Sequence, residues 1–306
     1  LASISPSPDG GYLLLASSTS NRSGDKSGDS RGANDYWLIK IDESGNKLWD
    51  KTYGGDLDDE AIFISPAHGS GYLLGGRSYS SKSHEKSEDN IKPSDHLDTN
   101  TSYTTEELNS IDSDFEDEDY YYDDHFGYDY WVIRIDETGS ILWDRTLGSS
   151  GDDWINSITL SKDGGYIITG DSDGPADGNK TQEHIGGIWD FWIIKVDGQG
   201  NKVWDATLGG TEDDEWPVIN AVDDGFVAIG TSDSNISGHV SDERIGGRDL
   251  WMVKIDENGE KIWDRKFGKT GTSSEWHYPR VVSSGKSLFI SSYLDDRAGD
   301  TWLVKT

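Results

Sequence analysis

This sequence predicts an all-β chain, a five-bladed β-propeller of four-stranded antiparallel blades, on three observations. The tripeptide Asp-x-Trp recurs five times, at Asp35-Tyr36-Trp37, Asp129-Tyr130-Trp131, Asp190-Phe191-Trp192, Asp249-Leu250-Trp251 and Asp300-Thr301-Trp302. In the first four copies a Trp-Asp pair follows, its tryptophan twelve positions after the first, at Trp49, Trp143, Trp204 and Trp263. Apolar residues nowhere recur at helical spacing, whereas short apolar runs bounded by glycine recur throughout.

Each unit reads as four strands. Strand A (Ala61 to Ser65 in the second unit) follows an acidic pair, and strand B (Tyr72 to Gly76) follows a glycine turn. Strand C (Tyr36 to Ile41 in the first unit) opens on the Asp-x-Trp tripeptide, and strand D (Lys47 to Tyr53) carries the Trp-Asp pair. Strands C and D form a hairpin because Gly45, Gly139, Gly200 and Gly259 supply the positive-φ residue that a short loop needs. Successive strand-C tryptophans lie 61 and 59 residues apart from Trp131 to Trp192 to Trp251, so the 94 residues from Trp37 to Trp131 are the same unit with an insertion. The blades are expected at about 1–53, 58–147, 152–208, 213–267 and 273–306, one domain in all, with an acidic insertion at 81–127 in the BC loop of the second. A parallel β-helix is disfavoured because its coils are shorter and lack hairpin turns. The period is too long for a WD40 propeller, and the Gly-His partner of that repeat is missing.

The fifth unit ends on strand C at Trp302, Leu303 and Val304, and the first begins on strand A. An outer strand for the fifth blade is therefore expected from residues upstream of Leu1 or from another molecule. In the second case the open edge and the acidic insertion would support self-association into a ring or filament.

The chain has 306 residues and a formal net charge of −31, with 33% hydrophobic and 11% aromatic residues, so tryptophan and tyrosine carry much of the burial. That charge excludes a nucleic-acid backbone as partner and disfavours anionic membranes, since both need lysine and arginine to displace counterions. No apolar run is long enough to span a membrane. The absence of cysteine excludes disulfides, thiolate metal sites and cysteine nucleophiles. The insertion holds fifteen acids against three lysines, a composition expected to need cations, packing or a partner to order it.

Candidate sites follow from the loops. Asp58, Asp59, Asp152, Asp153, Asp213 and Asp214 recur before strand A, the strand expected to line the central channel. They either close turns through backbone N–H groups or bind calcium, which needs several converging oxygens. Unit five breaks the pattern with Ser273-Ser274, and Asp171-Ser172-Asp173-Gly174 resembles only part of a calcium loop. Glycosylation sequons stand at Asn21, Asn100, Asn179 and Asn235, each in a BC loop. Trp154, Trp216 and Trp276 at the start of strand A could pack between blades or form a sugar-stacking platform. Glu275, His277 and Arg280 depart from the repeat and are the residues expected to bind a ligand or do acid/base work if any do.

The unit Gly-Gly-Tyr, then Asp-Tyr-Trp-Leu-Ile-Lys-Ile-Asp through Trp-Asp-Lys-Thr-Tyr-Gly-Gly, resembles the propeller repeats of archaeal and bacterial cell-surface proteins. It is distantly similar to the repeats of quinoprotein dehydrogenases. The first resemblance implies a secreted or surface setting. Quinoprotein activity is not implied, because those enzymes have eight blades and a vicinal cysteine pair. The expected function is that of a non-enzymatic, extracellular structural or adhesive subunit of a surface or filamentous assembly, N-glycosylated and with calcium as a candidate ion. The alternatives are a carbohydrate-binding propeller and a glycan-active enzyme.

Overall fold

A computed structural model describes residues 1–91, 127–270, 276–284, 287–294 and 301–305. The described residues contain strands and turns and no helix. Sheet 1 comprises β1 (Ser3–Pro6), β2 (Tyr12–Ser18), β3 (Asp35–Ile41) and β4 (Lys47–Tyr53). Sheet 2 comprises β5 (Asp59–Pro66), β6 (Tyr72–Ser78), β7 (Asp129–Ile135) and β8 (Ile141–Leu147). Sheet 3 comprises β9 (Asp153–Leu160), β10 (Tyr166–Ser172), β11 (Asp190–Val196) and β12 (Lys202–Leu208). Sheet 4 comprises β13 (Asp214–Val222), β14 (Gly225–Ser232), β15 (Asp249–Ile255) and β16 (Lys261–Phe267). Sheet 5 comprises β17 (Trp276–Ser284), β18 (Ser287–Leu294) and β19 (Thr301–Lys305).

Within every sheet the strands lie in chain order and pair antiparallel, as consecutive hairpins require. Sheets 1 to 4 have four strands, and sheet 5 has three among the described residues. The register repeats: Tyr12, Tyr72, Tyr166 and Phe226 pair with Ile41, Ile135, Val196 and Ile255. The first strand of each sheet packs on the first strands of its neighbours, which puts it innermost, as in a propeller. The fold class is thus a five-bladed propeller, open between sheets 1 and 5 among the described residues. There Ile4 is 54% exposed, whereas Ile64 at the same register is buried.

Packing follows from position in the ring. Strands β7, β11 and β15 are buried at every residue because neighbouring sheets cover both faces, whereas β2 alternates. Tyrosines reach across the seams, with the Tyr36 ring 4.9 Å from Trp131 and Tyr130 5.1 Å from Trp192. The insertion proves narrower than 81–127. Residues 81–91 trace the ordinary BC loop, with a Ser83–Lys86 bridge matching Ser23–Lys26, and Asn90 Nδ2 donating to the Gly127 carbonyl at 2.9 Å. Residues 92–126 lie outside the described residues.

Candidate functional site

The aspartate of each Trp-Asp pair is a latch. The strand-C indole Nε1 donates to the strand-D carboxylate in each complete sheet: Trp37 to Asp50, Trp131 to Asp144, Trp192 to Asp205 and Trp251 to Asp264, at 3.0–3.1 Å. The same Oδ2 accepts a BC-loop N–H from Ser27, Ser87, Thr181 or Ser241 at 2.8–2.9 Å. One carboxylate therefore ties two strands and a loop together. These bonds, with lysine at the start of strand D, hold Asp50 and Asp264 down to about 2 against the opposing effect of burial.

The acidic pairs before strand A divide their work. The outer acid caps the neighbouring strand: Asp58 Oδ1 accepts from Asn34 N at 3.0 Å, Asp152 from Tyr128 N at 2.8 Å and Asp213 from Ile188 N at 2.6 Å. The inner acid is fully buried and accepts a loop N–H at 2.6–2.7 Å, Asp59 from Gly55, Asp153 from Ser149 and Asp214 from Gly210. Burial pushes Asp59 to about 6, and Asp153 and Asp214 to about 7, despite these donors.

A buried lysine stands within electrostatic reach of each inner acid without forming an ion pair with it. Lys86 and Lys180 come from the BC loop and donate to Thr146 Oγ1 and to Ser172 Oγ and the Gly174 carbonyl, with Lys26 at the same loop position in sheet 1. In sheet 4 that loop position is Val240, and the ammonium beside Asp214 comes from Lys266 on β16, where the other sheets carry Thr52, Thr146 and Thr207. The destination is unchanged: Lys26, Lys180 and Lys266 donate to the equivalent carbonyls of Ser20, Gly174 and Ser234. Among the described residues no three His, Asp or Glu side chains converge to hold a metal ion. Each inner acid takes its loop N–H on Oδ2, while its buried Oδ1 has no hydrogen-bond partner. Asp171 and Asp173 turn to separate donors. Asp171 accepts from Trp216 N at 2.7 Å and Asn156 Nδ2 at 2.9 Å, and Asp173 accepts from Asp152 N at 2.6 Å.

Asymmetry gathers at the inner end of the seams, where strand A begins. Between sheets 2 and 3, Arg77 pairs with Glu60 at 2.7 Å and lies 4.4 Å over the Trp154 ring and 4.5 Å over Tyr128. Trp189 abuts Trp154 at 4.9 Å, and Tyr128 donates to Asp58 Oδ2 at 2.9 Å. In sheet 4, Arg248 pairs with Glu215 and with Asp233 at 2.9 Å and lies 5.1 Å over Trp216, whose backbone N–H reaches Asp171 of sheet 3. Trp216 has φ +56°, a left-handed conformation that is strained for a bulky residue. Burial, with the Glu215 charge adding to it, raises Asp171 to about 8, and burial takes Glu215 to about 7.

Trp154 and Trp216 are thus brought to neighbouring seams, each against an arginine. The side chains of Trp276, His277, Arg280, Trp302, Leu303 and Val304 lie outside the description, as do Ser273, Ser274, Glu275 and Asn100 entirely. Of the remaining sequons, Asn21 and Asn235 are exposed, while Asn179 is half-buried and its Oδ1 accepts from Gly148 N at 3.1 Å. Sequence reasoning missed Arg77, Tyr128, Glu215 and Arg248. Their signal was available, since Arg77 stands where the other units have Ser17, Asp171 and Thr231, and Arg248 where they have Asn34, Tyr128 and Trp189.

No protein-family profile matches the chain. It is 23% identical over 170 residues to the regulatory protein FlaEY of Caulobacter vibrioides, a match that covers 53% of this chain and 18% of that protein. The chain thus spans less than a fifth of that relative. Similar solved structures include a periplasmic gluconolactonase of Pseudomonas aeruginosa, 10% identical with a TM-score of 0.48, covering all of this chain and 71% of that one. A Synechocystis apocarotenoid oxygenase variant is 12% identical with a TM-score of 0.49, over 99% of this chain and 57% of its own. A GH43 endo-arabinanase from Bacillus licheniformis is 11% identical with a TM-score of 0.39, over 99% and 92%. All three are distant, and none lends its chemistry to this chain.

Proposed function

We propose that this chain is a non-enzymatic structural or adhesive module of a cell-surface or filamentous assembly, and that it works through its outer rim. One observation carries the reading. The outer strands β4, β8, β12 and β16 present Leu48, Leu142, Val203 and Ile262 at one equivalent position, and these are 52–58% exposed. An edge strand bearing an exposed aliphatic is a template for association, and a soluble monomer ordinarily blunts it with charge. Here it recurs in every complete sheet. The extracellular setting adds N-glycosylation at Asn21 and Asn235, whose side chains face solvent.

Sedimentation velocity and negative-stain imaging of the purified chain test the proposal. Concentration-dependent oligomers or filaments are expected, and Leu48→Ser, Leu142→Ser, Val203→Ser and Ile262→Ser together should disperse them. A monomer at every concentration, or assembly indifferent to the four changes, would defeat it.

A second reading is favoured by the paired arginines and tryptophans at the inner seams, since an aromatic face beside hydrogen-bonding side chains suits a sugar ring. Glycan-array binding lost with Trp154→Ala or Trp216→Ala supports that reading, and a blank array removes it.

A further inference from the structure

We infer that the seam between sheets 1 and 2 holds a pocket for a sugar acid, whose carboxylate is received by the Thr52 N–H and the Lys51 ammonium. The template is repeated three times inside the molecule. In sheets 2, 3 and 4 the residue that follows the latch donor of the BC loop turns its side chain onto the outer strand. Glu88 Oε2 accepts from Thr146 N at 2.8 Å, Gln182 Oε1 from Thr207 N at 2.7 Å and Asp242 Oδ2 from Lys266 N at 3.1 Å. Strands β8, β12 and β16 lie at the edges of their sheets, so these oxygens satisfy N–H groups that no ladder bond reaches. In sheet 2 the acceptor is itself a carboxylate held at both ends, since Glu88 Oε1 lies 3.7 Å from the Arg145 guanidinium.

Sheet 1 keeps the donors and lacks the acceptor. Thr52 pairs with Trp37 as Thr146 pairs with Trp131, so its N–H points the same way. Lys51 stands at the place of Arg145, and it forms no ion pair among the described residues. The position of Glu88, Gln182 and Asp242 is Gly28, which has no side chain to offer. A Cβ built on Gly28 would lie 3.2 Å from Thr52 Oγ1, a buried hydroxyl without a hydrogen-bond partner. The space so opened is a cavity of about 450 Å³, the size of a small-molecule site, lined among others by Ser27, Arg31, Lys51, Thr52 and Ser140. Arg31 is a second departure from the repeat at the same place. The other sheets carry Ile91, Ile185 and Ile245 there, each with its N–H on the strand-C aspartate, as Arg31 has. Glu85 holds the Arg31 guanidinium through two bonds of 2.8 and 2.9 Å, which leaves the Lys51 ammonium to meet a ligand. An anion with one oxygen on Thr52 N and the other toward Lys51 repeats the Glu88 arrangement, which is that of a carboxylate. The serine hydroxyls suit a polyhydroxylated body behind it, and a hexuronate joins the two. The pocket lies apart from the inner-seam arginines and does not depend on the rim contacts.

The probe is sodium D-glucuronate, titrated into the full 306-residue chain by calorimetry, with glucose, acetate and inorganic phosphate as controls. Saturable binding of glucuronate is expected with a Kd of about 1 mM or tighter, and each control should bind at least about tenfold more weakly. Gly28→Glu restores the side chain of the sister sheets, at a glycine whose φ is not left-handed. It should weaken glucuronate binding at least about tenfold without lowering the Tm, because the chain then supplies the carboxylate itself. Lys51→Ala should weaken binding about tenfold, the change expected for losing a charge-assisted contact, and Lys51→Arg should retain it. If Gly28→Glu lowers the Tm, the two Lys51 variants decide. Absence of glucuronate binding overturns the inference, and so does any control binding as tightly. Binding unmoved by Lys51→Ala, or by a stably folded Gly28→Glu, overturns it as well.

Discussion

Sheets 2 and 3 and sheet 4 solve one electrostatic problem from opposite sides. In the first two, a BC-loop lysine, Lys86 or Lys180, brings a buried ammonium within electrostatic reach of the inner acid, and in sheet 4 Lys266 on β16 does so while Val240 fills the loop position. The exchange teaches that the fold requires a positive charge at a place, and not a lysine at a particular repeat position. A buried carboxylate without that charge would carry its full desolvation cost.

The largest expected effect breaks this arrangement. Lys266→Thr gives sheet 4 the strand residue of its neighbours without their loop lysine, leaving Asp214 and Asp249 uncompensated, and should cost about 3–5 kcal/mol in urea unfolding. Adding Val240→Lys should return most of that loss. A double variant no more stable than the single one would show that the two positions are not interchangeable.

Next in size is the seam tryptophan. Trp143 packs 6.3 Å from the Tyr166 ring and against Gly200, and Trp143→Ala should cost about 3 kcal/mol, by the loss of buried aromatic surface. Chemical denaturation checks it, and a loss below about 1 kcal/mol would mean the seams do not rest on these indoles.

A smaller effect concerns Asp171, the acid at the strand-B position where sheets 1 and 4 carry Ser17 and Thr231. Burial raises its carboxyl to about 8 in the native chain, above its unfolded value. Its contribution is then fully present below about pH 4 and is lost as pH rises through about 8. Asp171→Asn should flatten the fall of Tm between pH 5 and pH 9, whereas a slope equal to that of the unmodified chain would assign the pH dependence elsewhere. The smallest effect is expected of Trp263→Ala, under about 1 kcal/mol, because that strand-D tryptophan is 39% exposed where its equivalents are packed.

Much of the fold is legible in the sequence, because its signals are local. A constant spacing from Trp37 to Trp49, with Gly45 between them, describes a hairpin whatever surrounds it. The site is less legible. That Asp50 accepts a hydrogen bond from the Trp37 indole follows from a cross-strand neighbourhood that the repeat spacing suggests. That Lys86 reaches Thr146 does not, since a loop lysine's destination depends on where the BC loop folds. Arg77 and Arg248 stand out only when each position is read across all units, because departures from a repeat are visible only against the repeat.

The sequence by itself determined the unit, its four strands and the number of units, since hydrophobic alternation, turn glycines and paired tryptophans act within one hairpin. Only the tertiary structure decided what identical residues do. Tyr12 and Tyr72 occupy the same place in their units, yet one is open to solvent and the other sealed. The difference is made by a tryptophan from the neighbouring sheet, and burial depends on what packs from outside the unit.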